Sequence, residues 1–223
     1  MDHRQSPIVT VDVVILTLGD GGLRVLLTER DKPPFENALA LPGGYVRTDE
    51  DGTAEDAAHR VLLTKARARG VHIEQLMTFS GPDRDPRGYS VSVAYLALMP
   101  HSRLPESALT VPVEEAVGLA FDHDRIVAEG VERLRRKAVY STAPAALLDQ
   151  PFTIPDLHAA YEAVLGSRID AASFRRKMIS LSALEESDEK RPGGRGKGRS
   201  AQLFTLPEEE VRTFDRTFGE PGA

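Results

Sequence analysis

The stretch AAHRVLLTKARARGV, residues 57–71, is the first candidate for chemistry, because of what precedes it and what it lacks. It follows a Gly-Gly turn and the acidic segment 48–56. Carboxylates spaced one helical turn apart on such a helix can hold metal ions that polarise a diphosphate and activate water. This stretch contains no Asp or Glu, and Lys65 and Arg67 stand on it instead. The pattern indicates a metal-dependent catalytic frame from which the acidic groups are missing.

Composition favours an ordinary globular protein with one large domain or two small ones. The chain has 223 residues, of which 41% are hydrophobic and 28% are charged. It has no cysteine, which excludes disulfides and thiolate metal sites. No secretory h-region and no apolar run of membrane-spanning length are visible, so we expect a cytoplasmic protein without a membrane partner. The net charge of −6 argues against a basic surface over the whole protein.

Hydrophobic patterning divides the chain into two halves. The first half is predicted to be a mixed α+β unit. Strands are expected at 8–18, 23–30, around Tyr45–Arg47, at 72–80 and at 89–100, and helices at 53–67 and 122–140. A joint is predicted near residues 141–151, where Pro144 and Pro151 bracket a short apolar segment.

The second half has the element order of a winged helix-turn-helix. Thr153 is the predicted N-cap of one helix, Asp156 occupies the capping-box position and Gly166 ends the helix. A second helix is expected from Asp170, with Phe174, Met178 and Leu181 on its apolar face. A strand, a glycine-rich basic tip and another strand follow, as in a β-hairpin wing.

A local basic surface in this half predicts binding to double-stranded DNA. Between residues 173 and 199 there are eight basic residues against four acidic ones, although such a run is often only a solvated surface. Arg176 and Ser173 are predicted to read base edges, and the wing to contact phosphates. The full set of predicted DNA-binding residues is Ser173, Arg175, Arg176, Lys177, Ser180, Lys190, Arg191, Arg195, Lys197 and Arg199.

The first half resembles the Nudix family, whose signature places a glycine, a glutamate and a row of acids on a loop–helix–loop. Gly44 and Glu50 match the start of the signature, but the interval to Arg60 is two residues longer than the pattern allows. Thr64 and Lys65 then stand where metal-binding acids belong, and Arg67 stands where a glycine is common. The resemblance therefore implies a nucleotide-binding frame without hydrolysis, and no metal or other cofactor is required.

The ligand implied by this resemblance is a nucleotide diphosphate sugar. Backbone amides at the Gly-Gly turn and arginine side chains are suited to phosphate oxygens, and Asp83 or Asp85 to a ribose hydroxyl. The segment GPDRDPRG has a second interpretation, as an ordinary turn with internally paired charges. The residues predicted to bind the ligand are Arg30, Gly43, Gly44, Arg47, Arg84 and Arg87.

The chain as a whole resembles the NrtR family of Nudix-related transcriptional regulators. The segments LALPGGYVRTDE, HIEQLMTFSGPDRDPRGYSVSVAYLAL and SFRRKMISLSALEESDEKRPGGRGKGRSAQLFTL carry this resemblance. It implies an α+β fold with an N-terminal Nudix-like α/β/α sandwich around a mixed sheet and a C-terminal winged helix-turn-helix. The expected boundaries are 1–143 for the sensing domain, 144–152 for a linker and 153–223 for the DNA-binding domain.

The same resemblance implies a bacterial repressor of NAD biosynthesis or salvage genes. Such a protein is expected to be a homodimer on a palindromic operator at the nucleoid, released by ADP-ribose or a related NAD metabolite. Two alternatives remain open at this stage. One is an ADP-ribose pyrophosphatase that uses Glu50, Glu55 and Asp56 in a displaced metal site. The other is a catalytically silent module whose basic segment binds RNA or an acidic partner.

Overall fold

The computed structural model describes residues 6–68, 71, 73–181, 183–191, 200–207 and 211–214. The chain folds into two compact units. The first is formed by residues up to Val131, except for the short segments 18–22 and 99–102. These two segments and the chain from Glu132 onward form the second unit.

The first unit is an α/β/α sandwich built on a mixed sheet. The sheet order is β3-β2-β1-β6-β5, with β4 paired to β1 and β7 paired to β2. Its strands are β1 (Ile8–Gly19), β2 (Gly22–Glu29), β3 (Leu39–Ala40), β4 (Gly43–Tyr45), β5 (Ile73–Gly81), β6 (Ser90–Leu98) and β7 (Leu109–Pro112), and its helices are α1 (Ala54–Val61), a π-helical turn (Leu62–Ala66) and the first part of α2 (His123–Tyr140).

Strand β1 lies at the centre of this sheet and is buried on both faces. It pairs in parallel with β6 from Ile8 to Leu16, while β4 pairs with it antiparallel. Val13, Val14 and Ile15 are fully buried, which explains why this strand reads as one continuous apolar run. The mixed sheet of the predicted fold is confirmed by these two pairings.

The predicted strand after the Gly-Gly turn and the predicted helix that follows it both differ from the observed elements. The strand expected around Tyr45–Arg47 lies at Gly43–Tyr45, because the two glycines bring this backbone into register with Val11 and Asp12 of β1. The helix expected over 53–67 is α-helical only to Val61 and then widens into the π-helical turn. Arg67 ends this turn with φ of 52°, the left-handed conformation that a glycine would favour.

The second unit contains a winged helix. Its helices are α3 (Ile154–Leu165) and α4 (Ala171–Ser180), and its antiparallel hairpin consists of β8 (Glu185–Arg191) and β9 (Ala201–Thr205). The predicted caps of α3 are confirmed: Thr153 and Asp156 form a capping box, and Gly166 ends the helix with φ of 66°. Phe174 of α4 meets the ring of Tyr161 at 5.1 Å, which packs the two helices together.

The segment predicted to be a linker, 144–152, does not run as an exposed connection. Residues Ala143–Leu147 form a 3-10 helix in which Pro144, Ala145 and Leu147 are buried. Phe152 is also buried and forms an isolated β-bridge with Phe204 of β9. The apolar side chains of this segment therefore belong to the core of the second unit, and the proposed domain boundaries remain predictions.

Candidate ligand-binding cavity and DNA-binding helix

A buried polar cluster forms around Asp12, the one charged residue within β1. Ser92 Oγ donates a hydrogen bond to Asp12 Oδ2 at 2.6 Å, and His123 Nε2 lies 3.4 Å from Asp12 Oδ1. The backbone N–H of Leu41 donates to His123 Nδ1 at 2.9 Å. Because Nδ1 accepts this hydrogen bond, the neutral ring carries its proton on Nε2, facing the carboxylate.

The carboxyl group of Asp12 is stabilised as an anion in spite of its burial. Burial by itself raises the pKa of Asp12, but His123, Ser92 and Arg84 together hold this pKa below its ordinary value. Arg84 Nη2 lies 3.7 Å from Asp12 Oδ2. An ionised carboxylate with several partners is a fixed anchor, so Asp12 positions the guanidinium and imidazole groups that surround it.

The loop GPDRDPRG brings two arginines to the same cavity, and a carboxylate pairs the charge of each. Arg84 donates to both carboxylate oxygens of Asp122, at 3.1 and 2.8 Å, and to Ser90 Oγ at 3.1 Å. Arg87 donates to both oxygens of Asp85, at 2.9 and 2.6 Å. Internal pairing of the turn is therefore confirmed for Arg87 alone, because the partner of Arg84 lies outside the turn. Binding of a ligand by these arginines remains a prediction. Asp85, a candidate partner of a ribose hydroxyl, accepts hydrogen bonds from Arg87 through both of its carboxylate oxygens.

Aromatic rings and cations alternate along one wall of the cavity. The guanidinium of Arg30 lies 4.7 Å from the ring centroid of Phe121, which meets the ring of Phe35 edge-on at 4.9 Å. Arg87 lies 5.4 Å from the ring centroid of Tyr45 and donates a hydrogen bond to its hydroxyl. Tyr45 is 51% exposed. A planar base can stack on such a ring, while the guanidinium of Arg30 attracts phosphate.

Charged groups near the start of α1 are engaged with one another. Arg60 donates to both carboxylate oxygens of Asp51, at 2.8 and 2.7 Å, and these hydrogen bonds lower the pKa of Asp51 to about 2. Arg47 donates to both oxygens of Glu50, at 3.0 and 2.8 Å. Glu50, the matching glutamate of the Nudix signature, is thus an exposed partner of an arginine.

The residues present do not fit the metal ions that the Nudix resemblance brings with it. Thr64 and Lys65, from the π-helical turn, line the cavity where metal-binding carboxylates would be required. Asp56 is engaged with Thr53 at the N-cap of α1, and Glu55 pairs with His59. Among the described residues, no group of three His, Cys, Asp or Glu side chains could hold a metal ion.

All six residues predicted to bind the ligand line one cavity of about 550 Å³ in the first unit, a volume within the usual range for small-molecule sites. They are Arg30, Gly43, Gly44, Arg47, Arg84 and Arg87. The further lining residues that sequence reasoning missed include Asp12, Tyr45, Phe121 and His123. A signal existed for Asp12, because a lone carboxylate in an apolar strand needs a buried partner.

Helix α4 presents the polar face predicted for a recognition helix. Asp170 caps its N-terminus by accepting from the backbone N–H of Ser173 at 2.8 Å. Phe174 and Met178 are buried, whereas Ser173, Arg175, Arg176 and Ser180 are exposed and Lys177 is half-buried. Arg176 Nη2 donates to Ser173 Oγ at 2.9 Å, so the two predicted base-reading side chains lie together.

The predicted wing is present as a hairpin, with one difference from expectation. The composition of the segment 190–200 predicts a glycine-rich basic tip that begins at Lys190, but the backbones of Lys190 and Arg191 belong to β8 and pair with Gln202 and Ala201 of β9. The strand continues through them because β9 supplies ladder partners at these positions. The remaining predicted wing residues, Arg195, Lys197 and Arg199, lie outside the described residues.

Comparisons with known families match both units. A model of the NUDIX domain matches residues 7–138, and a model of the NrtR DNA-binding winged helix domain matches residues 144–206. The chain is 36% identical over 210 residues to the "ADPR responsive transcriptional repressor NtrR" of Acinetobacter baylyi, covering 89% of this chain and 82% of that protein. The chain belongs to the NrtR family of Nudix-related transcriptional regulators.

Crystal structures of Shewanella oneidensis NrtR show the same fold over nearly the whole chain. The protein alone and its complex with a 27mer DNA each have a TM-score of 0.84 and 34% identity, and each match covers 94% of this chain. The match covers 99% of the Shewanella chain in the structure of the protein alone and 98% of it in the DNA complex. The NUDIX domain of the same protein complexed with ADP ribose has a TM-score of 0.53 and 35% identity, with 58% of this chain and 90% of that chain covered.

A relative that is named as an enzyme matches about half of the chain. The chain is 31% identical over 126 residues to the "ADP-ribose pyrophosphatase" of Methanocaldococcus jannaschii, covering 54% of this chain and 71% of that protein. Enzymes and regulators therefore share this fold, and the side chains in the cavity distinguish the two classes of protein.

None of the helices in the described residues has both the length and the apolar character of a membrane-spanning helix.

Proposed function

We propose that this protein is an ADP-ribose-responsive transcriptional repressor of NAD biosynthesis or salvage genes. The observation that carries the proposal is the cavity of about 550 Å³, which has arginine and aromatic walls and no metal-binding carboxylate row on its helix. Guanidinium groups suit a diphosphate and exposed rings suit a nucleobase. The NrtR relative whose NUDIX domain was crystallised with ADP ribose supports this ligand.

DNA is the proposed partner of the second unit. Helix α4 exposes Ser173, Arg175, Arg176 and Ser180, and a β-hairpin follows it as in other winged helices. The structure of the Shewanella oneidensis relative complexed with a 27mer DNA supports a DNA partner over RNA. We propose that a homodimer presents two such helices to a palindromic operator, and that ADP-ribose favours an arrangement that binds the operator less well.

The proposal includes the absence of hydrolysis. A displaced metal site would require Glu50, Glu55 and Asp56 to converge on the ligand, and none of these side chains lines the cavity. Lys65 adds a positive charge where a metal ion would need a carboxylate. Both features support a sensor instead of an enzyme, although the pyrophosphatase relative shares the frame.

The test measures, by fluorescence anisotropy, how tightly the purified protein binds the DNA upstream of its own gene. A random duplex at the same salt concentration is the control, because phosphate contacts alone give salt-dependent affinity. We expect preferential binding that falls when ADP-ribose is added. Preferential binding that is unchanged by ADP-ribose would show that ADP-ribose is not the effector. Mg²⁺-dependent release of AMP that is abolished by Glu50→Gln would favour the pyrophosphatase.

A further inference from the structure

The arginines in the cavity differ in whether their charge is already neutralised by the protein. Four have a carboxylate partner at hydrogen-bonding distance. These pairs are Arg47–Glu50 at 2.8 Å, Arg60–Asp51 at 2.7 Å, Arg84–Asp122 at 2.8 Å and Arg87–Asp85 at 2.6 Å. Each of these guanidinium groups retains little net charge for a ligand, because an adjacent anion offsets it. They shape the cavity more than they attract an anion.

Arg30 and Lys65 are different. Neither has a carboxylate oxygen within 4 Å among the described residues, and both line the cavity. Arg30 is held in place by neutral groups: it donates to the carbonyl oxygen of Pro34 at 2.8 Å and packs over Phe121. Its positive charge is therefore fixed in position without being cancelled.

Lys65 and Arg30 line the same cavity, where their two positive charges repel each other. Partial desolvation at the cavity wall lowers the pKa of Lys65, whose side chain is otherwise exposed, and the charge of Arg30 acts in the same direction. The charges of Asp12 and Asp31 raise this pKa instead, although neither carboxylate forms an ion pair with Lys65. Two neighbouring cations of this kind are stabilised when an anion with two negative charges enters between them.

We propose that Lys65, together with Arg30, neutralises the diphosphate of the ligand directly, so that this cavity binds its nucleotide ligand without a divalent metal ion. The inference rests on the proposed function, because it takes ADP-ribose as the ligand. In the Nudix frame, carboxylates on this part of the helix recruit a cation for the diphosphate. Here the π-helical turn Leu62–Ala66 supplies the cation itself, attached to the chain. Lys65 therefore replaces a metal-binding carboxylate and at the same time provides a positive charge for the diphosphate of the ligand.

The experiment is isothermal titration of the full-length protein with ADP-ribose, once with EDTA and once with Mg²⁺. We expect the wild-type protein to bind equally well in both buffers. Lys65→Met should weaken binding in EDTA by roughly 10- to 100-fold, since a charge-assisted contact contributes about 1.5–3 kcal/mol. Lys65→Arg should retain most of the affinity because it keeps the charge. Lys137→Met, which removes a lysine of α2 outside the cavity, is the matched control.

The outcomes separate this inference from the function on which it rests. ADP-ribose binding that requires Mg²⁺, or unchanged affinity in Lys65→Met, would overturn the metal-free site and leave the ADP-ribose sensor standing. Equal losses in Lys65→Met and Lys137→Met would also overturn it, because only the net charge would then matter. No ADP-ribose binding in either buffer would overturn the proposed effector and this inference together. Thermal melting of each variant shows whether it is folded.

Discussion

Gly43 lies directly against the carboxylate of Asp12. A Cβ atom at position 43 would be 2.0 Å from Asp12 Oδ1 and 2.8 Å from the carbonyl oxygen of Val11. The carboxylate cannot move aside freely, because Ser92 and His123 hold it from other directions. The requirement for glycine at this position therefore comes from the close approach of β4 to a buried anion.

Gly43→Ala is expected to lower the free energy of unfolding by about 1–3 kcal/mol, the usual cost of inserting an atom into a filled interior. It should also weaken ADP-ribose binding, because displaced Asp12 no longer orients Arg84. Urea denaturation and titration calorimetry measure the two effects. Gly44→Ala is the matched control for stability, since its Cβ would lie 3.5 Å from Val61 Cγ2, an ordinary contact. Equal losses of stability in the two variants would contradict this explanation.

Helix α2 approaches the central strand through Gly130. A Cβ atom there would lie 2.8 Å from Val14 Cγ1, and Val14 is fully buried. Alanine has the higher helix propensity by about 1 kcal/mol, but overpacking costs about 1–3 kcal/mol. We therefore expect Gly130→Ala to destabilise the protein, as measured by its melting temperature and urea midpoint.

A double-mutant cycle identifies the cause of this effect. Val14→Ala leaves a cavity of its own in the core, and the alanine methyl group of Gly130→Ala would occupy part of that space. The two losses should then sum to more than the loss in the double mutant. Strict additivity would show that the contact between Val14 and position 130 is not the source of the destabilisation.

The ion pair between Arg60 and Asp51 predicts a defined pH dependence. The pKa of Asp51 falls from 3.8 to about 2 on folding, so the stabilisation is fully present above the unfolded value. It is lost as the pH falls from 3.8 through about 2. The stability difference between the wild type and Asp51→Asn should therefore be constant near neutral pH and shrink over this acidic window. Melting temperatures across the pH range measure it.

Arg60→Gln is the partner variant for this measurement. It removes the guanidinium that donates to both oxygens of Asp51. In this background, Asp51→Asn should leave a much smaller pH-dependent difference. If the acidic window persists at full size without Arg60, the backbone N–H of Arg47, which also donates to Asp51, accounts for the shift instead.

Local chemistry made part of this molecule predictable. The caps of α3 at Thr153 and Gly166 depend on a few adjacent residues, so sequence spacing was sufficient to place them. The cavity arginines were found through a family pattern in which glycines and arginines surround a phosphate. The signal for the caps is contained in one short stretch of chain, whereas Arg30, Arg47, Arg84 and Arg87 lie in three segments that the family pattern brings together.

Long-range contacts explain what was missed. His123 reaches the cavity by accepting from Leu41, 82 residues away, and no pattern near position 123 indicates this. Phe121 stacks against Arg30 in a left-handed backbone conformation, with φ of 60°, that its residue type disfavours. The sequence places Lys65 only where a metal-binding acid belongs, because Lys65 and Arg30 come to one cavity only in the folded protein.

Arg176 provides the sharpest test of the DNA-binding helix. Its side chain is exposed beside Ser173, so it is free to face a base edge in the major groove. Arg176→Ala should weaken operator binding by about 1–3 kcal/mol while changing random-duplex binding much less. Arg175→Ala, which removes the neighbouring exposed charge, is expected to weaken both duplexes alike. Fluorescence anisotropy on the two duplexes at several salt concentrations measures this, and equal losses for Arg176→Ala would assign it to phosphate contact instead of base reading.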